Sequence, residues 1–195
     1  MNKLTGFYEL QRNGLPSVDW KKYSTDTVLD SDILWTIRSA VENGDDLNLP
    51  RLVGATADEA QLFANQLIAK LKSNDMIIYY PYFIADKSGV MEIALEKTVI
   101  EGVDGDLWNF VTYNKKDITI IFHNDKKNVF GNECFFENSE LTKLLSYVNM
   151  IKNKYRDYIF EGKSIFLEWS FAYKSSINKE RVGEKKLVFY EIRTV

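Results

Sequence analysis

The chain has 195 residues, 45% of them hydrophobic and 14% aromatic, which is enough apolar material for one good core or for two small lobes sharing a cleft. Its 25 basic and 28 acidic residues leave a formal net charge of −3, so bulk electrostatics attract no polyanion and argue against a nucleic-acid partner. Cys134 is the sole cysteine and His123 the sole histidine, which excludes an internal disulfide and any zinc site built on Cys/His spacing.

In chain order, a short helix is expected around Gly6–Asn13, followed by a turn at Asn13-Gly14-Leu15-Pro16 and a polar connection. Ile33–Ile37 reads as a short strand running into Arg38-Ser39-Ala40. Residues 41–54, with their Asn-Gly, Asp-Asp and Pro signals, read as a loop. Thr56-Ala-Asp-Glu59 has the form of a capping box, after which Ala60, Ala64, Leu67, Ile68 and Leu71 recur at helical spacing to about Ser73. Apolar segments at Met76–Ile84, Val90–Ala94, Val99–Val103, Leu107–Tyr113 and Ile118–Phe122 then follow closely enough to predict an antiparallel meander. A second helix after Asn138-Ser139 carries the stripe Leu141, Leu144, Leu145, Val148, Ile151 and Tyr155. Two strands, Ser164–Phe171 and Leu187–Arg193, end the chain, joined by a Lys-rich polar stretch. The order predicts an α+β protein, mostly antiparallel sheet with two main helices. No apolar run approaches a membrane span, no signal-type segment opens the chain, and a cytoplasmic location is expected.

The last two strands carry charge where a buried strand should have none. Period-2 geometry sets Glu168 on the face opposite Ile165, Leu167, Trp169 and Phe171, and gives Glu191 and Arg193 a common face. A desolvated charge needs a partner or a ligand. Three readings follow for Glu168 and Arg193: a structural ion pair, solvent-facing positions on one side of an antiparallel sheet, or part of a site. His123 reads as a strand-edge residue.

The order of several short segments resembles the nucleotide-binding domain of the pyruvate phosphate dikinase and phosphoenolpyruvate synthase family. Lys3-Leu-Thr-Gly-Phe-Tyr-Glu9-Leu10 and Gly14-Leu15-Pro16 are similar to its opening. Thr36-Ile-Arg38-Ser39-Ala40 is similar to its Arg-Ser-Ser-Ala strand, and Ile77–Pro81 with Lys87-Ser88-Gly89-Val90 to its hinge. Leu167-Glu168-Trp169 and Glu191-Ile192-Arg193 are similar to its Asp-Ile-Glu-Trp and Gln-x-Arg-Pro strands. The resemblance implies a reduced, two-lobed ATP-grasp-type fold, with residues 1–75 as the first lobe and 76–195 as the second. It also implies ATP and Mg2+ as ligands: Lys3 and Arg38 on the polyphosphate, Tyr79 and Tyr80 at the adenine with Glu191, Glu168 and Glu191 on the metal, and Arg193 at the γ-phosphate in the catalytic position.

The departures set the choice of function. Of the family's Gly-Gly-Lys-Gly opening only Lys3 remains, Trp108 falls near a family glutamate, and His123 sits in no phosphohistidine motif. They point to a nucleotide-binding module that is degenerate or dependent on a protein partner. An active ATP-dependent phosphotransferase or ligase, and an α+β protein-interaction domain without a nucleotide, are the alternatives.

Overall fold

Strands that alternate apolar and polar residues bury one face each, and here they do so in two antiparallel sheets that share an apolar core. The computed structural model describes residues 1, 3–41, 49–70, 75–108, 116–124 and 126–195, with the backbone alone for Lys3. The first sheet contains β1 (Lys21–Lys22), β2 (Trp35–Ala40), β3 (Arg51–Ala55) and β4 (Met76–Pro81), in the order β1-β4-β2-β3. The second contains β5 (Phe83–Ile93), β6 (Lys97–Asp104), β7 (Ile118–His123), β8 (Lys126–Gly131), β9 (Ile165–Ser175) and β10 (Arg181–Thr194), in the order β10-β9-β5-β6-β7-β8. Around them lie α1 (Lys3–Arg12), α2 (Ala57–Ile68), α3 (Asn138–Leu145), α4 (Val148–Lys154) and α5 (Arg156–Phe160). The protein is α+β and mostly antiparallel, as its sequence predicts.

Strand parity sorts side chains into three cores. In β2 and β4, Trp35, Ile37, Ile77 and Tyr79 turn toward α2, whose small Ala60 and Ala64 are fully buried and let the helix lie close to the sheet. The capping box that starts α2 is formed, with Glu59 N–H donating to Thr56 Oγ1 and Thr56 N–H donating to the Glu59 carboxylate. The other face of β4, with Met76, Ile78 and Tyr80, meets Val90, Tyr190 and residues of α1 in the core between the sheets. The far face of the second sheet, with Met91, Ile93, Ile165, Leu167, Trp169 and Phe189, packs on Leu144, Ile151, Tyr155 and Ile159 of α3, α4 and α5.

Several expectations shift. The strand carrying Arg38 runs to Ala40, so Arg38 lies within it. The region read as a loop contains β3, a five-residue strand whose Arg and Gly content hides it from a pattern of apolar alternation. Met76–Ile84 is two strands: the chain leaves the first sheet after Pro81 and enters the second at Phe83. The second helix is broken into three short ones, and β8 was not expected because its side chains are mostly exposed. The strand expected at Leu107–Tyr113 lies outside the described residues beyond Trp108, as do residues 42–48 of the expected loop and Leu71–Ser73 of the first expected helix.

On the helical side of the second sheet one carboxylate ties three elements together. Glu140 of α3 accepts from Lys87 Nζ of β5 at 2.6 Å and from the Glu137 N–H at 2.9 Å, and lies 2.8 Å from Lys185 Nζ of β10. Burial alone would raise its pKa, but the hydrogen bonds from Lys185, Lys87 and the Glu137 N–H outweigh burial and hold it below the usual carboxylate value. A depressed folded-state pKa gives stability that is complete above the unfolded value, about 4.3, and is lost as pH falls through the lower folded value. Chemical denaturation from pH 7 to pH 3 should therefore show a decline below about pH 4. In Glu140→Gln that decline should be shallower and neutral stability lower; an unchanged acid limb would remove Glu140 as its source.

Candidate functional site

The geometry of the candidate site begins with an irregularity in β10. Phe189 pairs with Trp169, but the next partners are Glu191 with Glu168, Ile192 with Leu167 and Arg193 with Phe166, so Tyr190 is an extra residue in the strand. Without that bulge, strict alternation would give Glu191 and Arg193 the same face as Leu187 and Phe189, which is the buried helical side. The bulge moves the register by one, so that Leu187, Phe189 and Ile192 enter the core while Tyr190, Glu191 and Arg193 line a cavity between the sheets. Helix α1 presses on the same strand. A methyl group on Gly6 would collide with the Ile192 carbonyl, so only glycine allows this approach.

The cavity has a volume of about 690 Å³, within the usual range for a small-molecule site. From the first sheet it receives Arg38 and Tyr80; from the second, Glu168, Tyr190, Glu191 and Arg193. Glu191 is 5% exposed and stands between two guanidinium groups, with Oε2 3.8 Å from Arg38 and Oε1 3.6 Å from Arg193 Nε. The Arg193 guanidinium lies 4.6 Å from the centre of the Phe166 ring, and that of Arg38 lies 5.6 Å from Phe7. Burial works against the charge on Arg38, yet Tyr80, Glu168 and Glu191 together hold its pKa above its ordinary value. Burial pushes the phenols of Tyr80 and Tyr190 up, with Glu168 acting in the same direction, so both are neutral donors at pH 7.

Of the residues singled out in the sequence, Arg38, Tyr80, Glu168, Glu191 and Arg193 share this cavity. Tyr79 does not: period-2 geometry turns it to the opposite face of β4, where it packs against Tyr23 and Trp35. Lys3 opens α1, with its side chain outside the described residues. Arg193 Nε lies 3.6 Å from Glu191 Oε1, a carboxylate that the ion-pair reading of the sequence did not include. His123 ends β7, 3.9 Å from Glu96 Oε2 and about half exposed. Sequence reasoning missed Arg51 and Tyr190, both of which line the cavity. Tyr190 faces it because of the bulge, and Arg51 lay in the segment read as a loop; neither carries a local signal.

Among the described residues no group of three acidic, histidine or cysteine side chains converges to cage a metal ion. Glu168 and Glu191 are cross-strand partners, however, and two carboxylates are what magnesium takes when phosphate oxygens and water complete its shell. The donor set thus fits a metal that arrives with a phosphate ligand.

No protein-family model matches the chain, and no curated protein matches it either. Among solved structures it is similar to D-alanine-D-alanine ligase from Helicobacter pylori, with a TM-score of 0.51 and 11% sequence identity over 98% of this chain and 50% of that one. The fold is therefore ATP-grasp-like, and the chain spans about half the length of that ligase. At such low identity the likeness carries the fold and not the reaction. No helix among the described residues is long and apolar enough to cross a membrane.

Proposed function

We propose that the chain is a nucleotide-binding module that holds ATP with Mg2+ in the cavity between its two sheets. The observation that supports this most is the meeting, in one hollow of ligand size, of Arg38 from one sheet with Glu168, Glu191 and Arg193 from the other. Arginine neutralises phosphate charge and offers paired donors, so Arg38 and Arg193 take the polyphosphate, with Arg193 at the γ-phosphate. Glu168 and Glu191 would hold magnesium, which would supply charge neutralisation to the phosphates when bound. Tyr80 supplies a neutral hydroxyl beside Arg38.

The module is degenerate or dependent on a partner for any chemistry. Glu191 already engages both arginines, and the sequence retains only Lys3 of a glycine-rich phosphate loop. Catalysis of phosphoryl transfer rests on a full set of donors around the moving group, and loss of one such contact commonly costs about a hundredfold or more. On this reading the chain is a cytoplasmic relative of the nucleotide domain of pyruvate phosphate dikinase and phosphoenolpyruvate synthase, with first and second lobes on either side of the cleft and an acceptor supplied by another protein.

Thermal melting with and without ATP and magnesium tests the reading. Ligand at a hundred times its dissociation constant should add about 2.7 kcal/mol of stability. Arg193→Ala and Glu168→Gln should each lose that increment relative to their own ligand-free state. No shift in the wild type at saturating ligand would sink the nucleotide reading. Release of ADP or AMP by the chain alone would replace the degenerate module with an active phosphotransferase or ligase.

A further inference from the structure

One cation at the cavity has no part in the reading above. Arg51 of β3 is the direct cross-strand partner of Arg38 of β2, and both line the cavity. Residues opposite one another on neighbouring strands project from the same face with β-carbons about 5 Å apart, and like charges in that arrangement repel. Two guanidinium groups so disposed are stabilised when an anion bridges them.

The two arginines are also held differently. Arg38 is mostly enclosed, with its side chain 14% exposed, and pairs with Glu191. Arg51 is exposed, and among the described residues no carboxylate comes within ion-pair distance of it; its guanidinium lies 4.7 Å from the centre of the Trp108 ring. Trp108 follows β6 of the other sheet and lines the same cavity, half exposed, with its backbone N–H donating to Asp106 Oδ1 at 2.8 Å. The contact between Arg51 and Trp108 thus joins the two sheets at the cavity. An exposed cation on an aromatic face is a weak interaction, whereas paired hydrogen bonds from guanidinium to phosphate are strong, so a phosphate chain would draw Arg51 away from the ring.

We propose that Arg51 is a specificity-determining residue: with Arg38 it grips an anion of two or more linked phosphates, and Trp108 holds its guanidinium in reserve while no such anion is bound. The assignment deepens the nucleotide reading and rests on it for the base, but not for the phosphates. Each further phosphoryl group brings more acceptor oxygens and more charge to Arg38, Arg51 and Arg193, so the cavity favours diphosphates and triphosphates over monophosphates and nucleosides.

Calorimetric titration of the full chain with magnesium-ATP, inorganic tripolyphosphate and adenosine tests this. Arg51→Gln should bind ATP and tripolyphosphate about tenfold or more weakly, with adenosine affinity unchanged, and Arg51→Lys should recover only part of the loss because it lacks the paired donors. Trp108→Leu should bind tripolyphosphate, which has no base to stack, about two- to fivefold more tightly. Without ligand, Arg51→Gln should melt no lower than the wild type, which separates lost binding from lost folding. ATP binding that survives Arg51→Gln undiminished overturns the role of Arg51 and leaves the nucleotide reading standing. Tripolyphosphate binding that depends on Arg51, with no binding of ATP, supports the grip on phosphate and sinks the nucleotide reading. Binding of neither ligand sinks both, and a Trp108→Leu variant that binds tripolyphosphate more weakly removes the reserve.

Discussion

Glu191→Ala should destabilise the protein by about 3–5 kcal/mol, because it strips the shared counter-charge from two guanidinium groups at once. Glu191 is 5% exposed, and its two oxygens face Arg38 and Arg193 on separate sides. The Arg38 side chain is only 14% exposed, so it cannot recover its hydration by turning outward. Arg193, at 31%, reaches more water and stacks on Phe166, which brings the loss toward the lower end of the range. Urea denaturation at pH 7 measures the effect. The same curves with inorganic tripolyphosphate should show the variant recovering more stability than the wild type gains, since an added anion replaces the one removed. A loss below about 1 kcal/mol would mean that both arginines are already hydrated, as at an exposed pair, and the cavity would then lack the desolvation that makes its charges selective.

The charges on β9 and β10 explain why much of the site was legible in the sequence. A charge inside an apolar strand is conspicuous whatever the fold, and Glu168, Glu191 and Arg193 each interrupt a run that otherwise reads as buried strand. Parity alone also separates Glu168 from the core residues on either side of it. What parity cannot show is an extra residue. A reader who extends the alternation of Leu187 and Phe189 by two buries Glu191 and Arg193 against the helices, and only the bulge at Tyr190 sends them to the cavity. Tyr79 and Tyr80 illustrate the reverse: adjacent residues in one strand cannot both face one ligand, and which does was set by the packing of Ile77 and Tyr79 on α2. Arg51 was invisible for a third reason. Its strand is short and holds Gly54 at a φ of 65°, so neither alternation nor propensity marks it, and its pairing with Arg38 is a long-range fact. The α+β class and the antiparallel order survive such local misreadings because they depend only on the sequence of apolar segments. The division of the chain between two sheets depends instead on a single residue, Tyr82, that joins β4 to β5.

The second large effect falls behind the site. Trp169→Ala should cost about 3–5 kcal/mol, the usual loss for emptying a fully buried tryptophan position. Its ring occupies the space over Gly89 of β5, its cross-strand partner, and contacts Phe136 and Phe171. Glu168 precedes it in β9, so the seat of this ring fixes the strand face from which Glu168 enters the cavity. A methyl group at Gly89 would strike both the Trp169 ring and the Glu101 carbonyl of β6. Gly89→Ala should therefore be destabilising by about 1–3 kcal/mol or more, through overpacking where Trp169→Ala acts through a void. The two faults are complementary, so the double variant should be more stable than the sum of the singles predicts, by about 0.5–3 kcal/mol. Full additivity in denaturation curves would mean that the clash with the Glu101 carbonyl alone dictates glycine at position 89. In that case the ring would be a tenant of the space and not its cause, and the orientation of Glu168 would rest on the strand pairing of β5, β9 and β10 without help from Trp169.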